Sequence, residues 1–162
     1  MPECDDRYIP LVAALAERLT RRGEMLATAE SCTGGWIAKV LTDRPGSSAW
    51  FDCGFVTYSN QAKEEMLGVP ADVIAIHGAV SHETVVAMAA GALARSRASW
   101  SMAVSGIAGP GGGTPEKPVG TVWLAWGTPE GVGSACEHFP GDRNQVRAAT
   151  VERALRGLLE RL

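Results

Sequence analysis

Three stretches of this sequence set hydroxyls, cations and glycines at spacings that suit chemistry. The first is Thr28-Ala29-Glu30-Ser31-Cys32-Thr33-Gly34-Gly35, where a short apolar run hands over to an amphipathic one. Backbone N–H groups at a helix start lack internal partners and point at whatever sits there. Ser31 could attack a carbonyl there, and the amides of Thr33, Gly34 and Gly35 could receive the oxyanion. The plainer reading is an N-capping Ser31 or Thr33 with two glycines in a tight turn. This stretch alone favours the cap, because it is no GxSxG elbow. Cys32 is a rival nucleophile ranked below Ser31, because no His lies near it in sequence.

The second stretch is Thr57-Tyr58-Ser59-Asn60-Gln61-Ala62-Lys63. It places Lys63 in the first turn of a helix, where the dipole opposes a cation. Burial and that partial positive charge would depress its pKa and let it act as a general base. Tyr58 could relay a proton. A solvated lysine with a half-buried tyrosine reads this segment about as well.

The third runs over residues 105–118, Ser105-Gly106-Ile107-Ala108-Gly109-Pro110-Gly111-Gly112-Gly113-Thr114-Pro115-Glu116-Lys117-Pro118. A loop of this composition presents main-chain donors and could cradle an anion or a sugar phosphate, with Gly106, Gly109, Gly111 and Gly112 as candidates. It lacks the GxxxxGK[ST] order of a triphosphate P-loop. A loop this long without internal structure is more often functional than a structural excursion. Arg143 and Arg147 begin the last helix against its dipole; a bound phosphate, or plain exposure to solvent, would explain both. His77, His82 and His138 are isolated, so no Ser–His–Asp set is assembled.

These residues need elements to position them. Periodicity and punctuation predict helices over residues 10–22, from 33 to about 42, 59–67, 70–77, 82–97 and after Asp142. Ser59, Ser81 and Asp142 are expected N-caps, the last in a capping box with Gln145. Strands are expected over residues 25–29, 50–58, 102–105, 119–126 and 132–139. Helices and strands alternate early and a hairpin comes late. That pattern predicts an α/β protein, a three-layer α/β/α sandwich with a mixed, mostly parallel sheet. An α+β fold with helices on one face is the alternative, and sheet order is not derivable.

The chain has 162 residues, which suits a single domain over residues 1–162 and a full core without disulfides or metal. Lys plus Arg number 15 and Asp plus Glu 18, so a net charge of −3 argues against a broadly basic nucleic-acid surface. Cys4, Cys32, Cys53 and Cys136 show no CxxC spacing, and no histidines pair, so no metal site is expected. The start, Met1-Pro2-Glu3-Cys4-Asp5-Asp6, is acidic and does not read as a secretory signal. Free thiols and a cytoplasmic location are expected. The longest apolar run, residues 85–94, is too short to span a bilayer. Five tryptophans fit either buried packing or self-association.

Taken together, Ala29 to Gly35, Gly54-Phe55-Val56-Thr57-Tyr58-Ser59-Asn60 with Lys63, and Ser105 to Pro110 with Lys117-Pro118-Val119-Gly120-Thr121-Val122 carry a resemblance. With Gly141-Asp142-Arg143 and Arg147, they resemble the CinA C-terminal domain family in its stand-alone amidohydrolase form. The resemblance runs over nearly the whole chain. It implies a three-layer α/β/α domain that hydrolyses the carboxamide of nicotinamide mononucleotide to nicotinate mononucleotide and ammonia, in pyridine nucleotide salvage. It further implies a serine nucleophile, Ser31, assisted by Lys63 and Tyr58, with no metal and no cofactor. Thr33, Gly34, Gly35, Gly106, Gly109, Gly111, Gly112 and Arg143 would bind the nucleotide. The partner would be a small-molecule nucleotide, with no nucleic acid and no membrane, and a homo-oligomer is expected. The alternative is a non-catalytic nucleotide- or protein-binding module, which would keep the glycine loop and Arg143 without needing Ser31 near Lys63.

Overall fold

A computed structural model describes residues 5–162. The acidic start and Cys4 fall partly or wholly outside these residues. Eleven α-helices and β-strands follow one another as α1 (Ile9–Arg22), β1 (Leu26–Glu30), α2 (Trp36–Thr42), β2 (Phe51–Val56), α3 (Asn60–Leu67), α4 (Ala71–His77), α5 (His82–Ala94), β3 (Trp100–Gly106), β4 (Thr121–Thr128), β5 (Gly131–His138) and α6 (Arg143–Leu159). The five strands form one mixed sheet in the order β2-β1-β3-β4-β5. It is parallel from β2 through β1 to β3, and antiparallel from β3 to β5.

Alternation along the strands sorts side chains between two cores. Met102 and Val104 of β3 face one way with Leu124 and Trp126 of β4, and α1, α2 and α6 cover them. Ala27, Ala29, Ala103 and Ala125 face the other way, under α3, α4 and α5. The expected α/β/α sandwich is therefore present, and the one-faced alternative is not. The second face is lined by alanines, so α5 lies close to the sheet. Gly91 of α5 has no room for a side chain, because a Cβ there would strike the Leu67 carbonyl.

Local signals account for most boundaries. Gly23 ends α1 in a left-handed conformation, φ 65°, with its amide on the Leu19 and Thr20 carbonyls. Ser59, Ser81 and Asp142 cap α3, α5 and α6, and Asp142 forms the full capping box with Gln145. One expectation fails in an informative place. The second helix starts at Trp36 rather than at residue 33, because Gly34 and Gly35 take φ of 59° and 101°. That backbone is left-handed, so residues 31–35 form a turn instead of the helix's first turn.

Candidate active site

The carboxyl ends of the three parallel strands lie side by side. Glu30 of β1 is in register with Val56 of β2 and Val104 of β3. The next residues, Ser31, Thr57 and Ser105, therefore sit together where the parallel pairing stops, while β3 runs on to Gly106 beside β4. The Ser31 amide still donates to the Val104 carbonyl at 3.2 Å, and the Thr57 amide to the Glu30 carbonyl at 2.8 Å. Open parallel sheets bind ligands at this edge, because the loops diverge there.

Glu30 is wholly buried and holds the following turn in shape. One carboxylate oxygen accepts from the Thr33 hydroxyl at 2.6 Å and the Ile37 amide at 2.9 Å; the other accepts from the Ala38 amide at 3.0 Å. An acid here satisfies orphan donors and complements the dipole at the start of α2. The sequence reading missed this role. The available signal was a glutamate seven residues before Ile37, at the end of a strand with no other charged residue.

Lys63 lies on the first turns of α3 and is 1% exposed. Its Nζ is 2.9 Å from Ser31 Oγ, 2.8 Å from the Thr57 carbonyl and 3.2 Å from the Tyr58 carbonyl. Burial holds its pKa below the ordinary lysine value. Geometry suits both protonation states. A neutral amine can give its two N–H bonds to the two carbonyls and turn its lone pair to the Ser31 hydroxyl. An ammonium gives its third N–H to the same oxygen.

Around this pair is a cleft of about 180 Å³, lined among others by Ser31, Cys32, Tyr58, Lys63, Ser105 and Arg143, with Gly106 and Ala108 at its wall. A larger groove of about 930 Å³ runs along α1 past Ala13, Glu17 and Trp50, and it contains no buried nucleophile or base. Tyr58 is exposed, and its hydroxyl accepts from Arg143 at 3.0 Å. Arg143 also donates to the Gly109 carbonyl at 2.8 Å. Tyr58 thus meets Lys63 through its backbone carbonyl and Arg143 through its hydroxyl.

Of the expected site residues, the structure brings Ser31, Lys63, Tyr58, Gly106 and Arg143 to the cleft. Thr33, Gly34, Gly35, Gly109, Gly111 and Gly112 do not line it. Thr33 is wholly buried, with its hydroxyl on Glu30, and the Gly34 amide closes the turn onto the Ser31 carbonyl at 3.0 Å. Of the three expected oxyanion amides, Gly34's is thus taken up within the turn. Among the described residues, the amides of Cys32 and Ala108 have no protein acceptor, and both residues line the cleft. Arg147 does not join Arg143. It donates to the Cys32 and Thr33 carbonyls at 2.9 and 3.2 Å, behind the turn. Burial raises the Cys32 thiol to about 11, which leaves it a poor nucleophile.

The remaining candidates have structural explanations. His77 pairs with Glu83 and His82 with Ser134, and neither histidine lines the cleft. Trp50, Trp100 and Trp126 are buried in the core. Cys53 and Cys136 are free, as is Cys32. Among the described residues no His/Cys/Asp/Glu cluster could hold a metal ion, and no helix is long and apolar enough to cross a membrane.

Comparison with known proteins shows the family and the fold. The model of the CinA C-terminal domain family matches residues 9–162. The nicotinamide-nucleotide amidohydrolase PncC of Escherichia coli K12 is 53% identical, covering 95% of this chain and 94% of the relative. The protein of the same name from Pseudomonas putida is 54% identical, covering 96% and 97%. The crystal structure of the competence/damage-inducible protein CihA from Agrobacterium tumefaciens superposes with a TM-score of 0.90 at 49% identity, over 93% of both chains.

Proposed function

The chain belongs to the CinA C-terminal domain family, and from this premise we propose that it is an amidase that hydrolyses the carboxamide of nicotinamide mononucleotide to nicotinate mononucleotide and ammonia. The single observation that carries the mechanism is the 2.9 Å contact between Lys63 Nζ and Ser31 Oγ, inside a cleft. A binding module would need no such contact.

Neutral Lys63 takes the Ser31 proton as Oγ bonds to the carboxamide carbon, and the carbonyl pair moves onto oxygen. The Cys32 and Ala108 amides receive that oxyanion; one such donor is worth about 3 kcal/mol of barrier. The Lys63 ammonium then protonates the nitrogen, the C–N bond breaks with its electron pair on nitrogen, and ammonia departs. Lys63 next deprotonates water, which attacks the acyl-enzyme and releases the carboxylate with Ser31 regenerated. Tyr58 supports this chemistry twice. Its carbonyl steadies Lys63, and its hydroxyl stands with Arg143 where a proton can follow the leaving ammonia.

A cleft of about 180 Å³ suits the pyridine ring and its carboxamide, with the ribose phosphate reaching outward past Arg143 and the glycine loop. The guanidinium gives that phosphate its cation. A cytoplasmic role in nucleotide salvage, one functional unit over the whole chain and self-association all belong to this reading. Ammonia release from nicotinamide mononucleotide tests it. The wild type should turn over, while Ser31→Ala and Lys63→Ala should fall to background; undiminished turnover by Ser31→Ala overturns the nucleophile.

A further inference from the structure

We infer that Ser105 is a further substrate-contacting residue of this site, its hydroxyl accepting an N–H of the scissile carboxamide; this rests on the amidase reading above. Ser105 follows Val104 on β3 as Ser31 follows Glu30 on β1, and Glu30 and Val104 are in register. In adjacent parallel strands, residues in register share a face. Ser105 therefore stands beside Ser31 on the side from which Lys63 approaches. It is 1% exposed and lines the cleft.

Its hydroxyl has no hydrogen-bond partner among the described residues. That is unusual in this chain, because most buried hydroxyls are spoken for. Ser81 bonds the Gly78 carbonyl, Ser101 the Ala89 carbonyl, Thr121 the Pro118 carbonyl and Thr150 the Val146 carbonyl. Thr33 bonds Glu30. Thr28 is also unpartnered, but it is sealed inside the sheet against Gly54, where nothing can reach it. Ser105 Oγ instead opens onto the cleft.

The chemistry of the wall selects the group it meets. Lys63, Arg143 and the Cys32 and Ala108 amides are donors, and they suit the carbonyl oxygen and the phosphate. A carboxamide also carries two N–H bonds, which need acceptors. The Tyr58 hydroxyl oxygen already accepts from Arg143, and the carbonyls of Thr57 and Tyr58 are taken by Lys63. Among the described residues, Ser105 Oγ is a buried side-chain acceptor on this wall that no donor occupies. Holding the nitrogen from that side would turn its lone pair, as it develops, toward the Lys63 ammonium.

The test compares an amide with an ester. Nicotinamide mononucleotide and the methyl ester of nicotinate mononucleotide are given to wild type, Ser105→Ala and Ser105→Thr. The ester offers no N–H, so Ser105→Ala should lose about tenfold to a hundredfold in kcat/KM on the amide and stay within about threefold of wild type on the ester. Ser105→Thr keeps the hydroxyl and should recover most amide activity. Ester turnover by Ser105→Ala also shows that the variant is folded. An unchanged amide rate, or an equal fall on both substrates, overturns the assignment while leaving the amidase reading intact. A wild type inactive on both substrates overturns that reading and this inference with it.

Discussion

The amine of Lys63 and the hydroxyl of Ser31 are 32 residues apart in sequence and 2.9 Å apart in space, with the lysine buried. The pairing arises because β2 lies next to β1. The chain leaves β2 at its carboxyl end, caps α3 with Ser59, and turns the first face of that helix back over the end of β1. Two backbone carbonyls of the connecting segment then fix the direction of the amine.

The lysine should show itself in the pH profile. Burial lowers its pKa from 10.5, and the neutral amine is the active base. Activity should therefore rise with pH through the lowered pKa and level off before the ordinary lysine value is reached. The fold disfavours the charged form, so stability should also rise with pH between the lowered pKa and 10.5. Unfolding of Lys63→Met should lack that rise. A kcat/KM profile that is flat through alkaline pH would remove Lys63 as the base.

Glu30 should matter for both stability and rate. Glu30→Ala leaves the Thr33 hydroxyl and the Ile37 and Ala38 amides without their acceptor. Stranding buried donors costs about 1–3 kcal/mol each, offset where water enters, so a loss of about 3 kcal/mol is expected in urea unfolding. Glu30→Gln should lose less stability, because its amide oxygen still accepts. A change below about 0.5 kcal/mol in Glu30→Ala would refute the role.

Arg143 should discriminate by phosphate. Arg143→Ala should raise KM for nicotinamide mononucleotide about tenfold or more, since a charge-assisted contact is lost. With nicotinamide riboside, which has no phosphate, the variant and wild type should differ little. An equal effect on both substrates would place the phosphate elsewhere.

Cys32 should be a bystander. With its pKa at about 11, only about a thousandth of the thiol is ionised at pH 8. Cys32→Ala should keep activity within about threefold of wild type, and iodoacetamide at pH 8 should inactivate slowly. Rapid inactivation that Cys32→Ala abolishes would reopen the thiol mechanism.

Gly91 tests the close approach of α5. Gly91→Ala drives a methyl group into the Leu67 carbonyl at the end of α3. Overpacking of this kind costs about 1–3 kcal/mol. Thermal unfolding should show it, and because α3 carries Lys63, activity should fall as well. An unshifted melting temperature would mean that the two helices separate freely.

Features that depend on neighbours along the chain were legible in the sequence. Ser59, Ser81 and the Asp142–Gln145 box are caps, and a cap is made with residues two or three positions away. The alternation of apolar segments announced a layered α/β protein for the same reason. In sequence, Gly34 and Gly35 suit either the first turn of a helix with free amides or a tight turn, and their left-handed backbone makes the turn and delays α2. A glycine pair permits both outcomes, so local information alone does not choose between them.

Ser31 and Lys63 were visible as residue types in suitable places, and the family resemblance linked them. Their contact, the burial of Glu30 and Ser105, the removal of Arg147 to the back of the turn and the meeting of Tyr58 with Arg143 are products of sheet order. The Ser31–Lys63, Tyr58–Arg143 and Arg147–Cys32 contacts join residues 32, 85 and 115 positions apart. Hydrogen bonds over such separations form only when the strands between them have taken their places. The sequence by itself determined which groups were on hand and which elements would bear them. The tertiary structure decided which groups face one another, because the β2-β1-β3 order brings three strand ends to one edge and closes a helix over them.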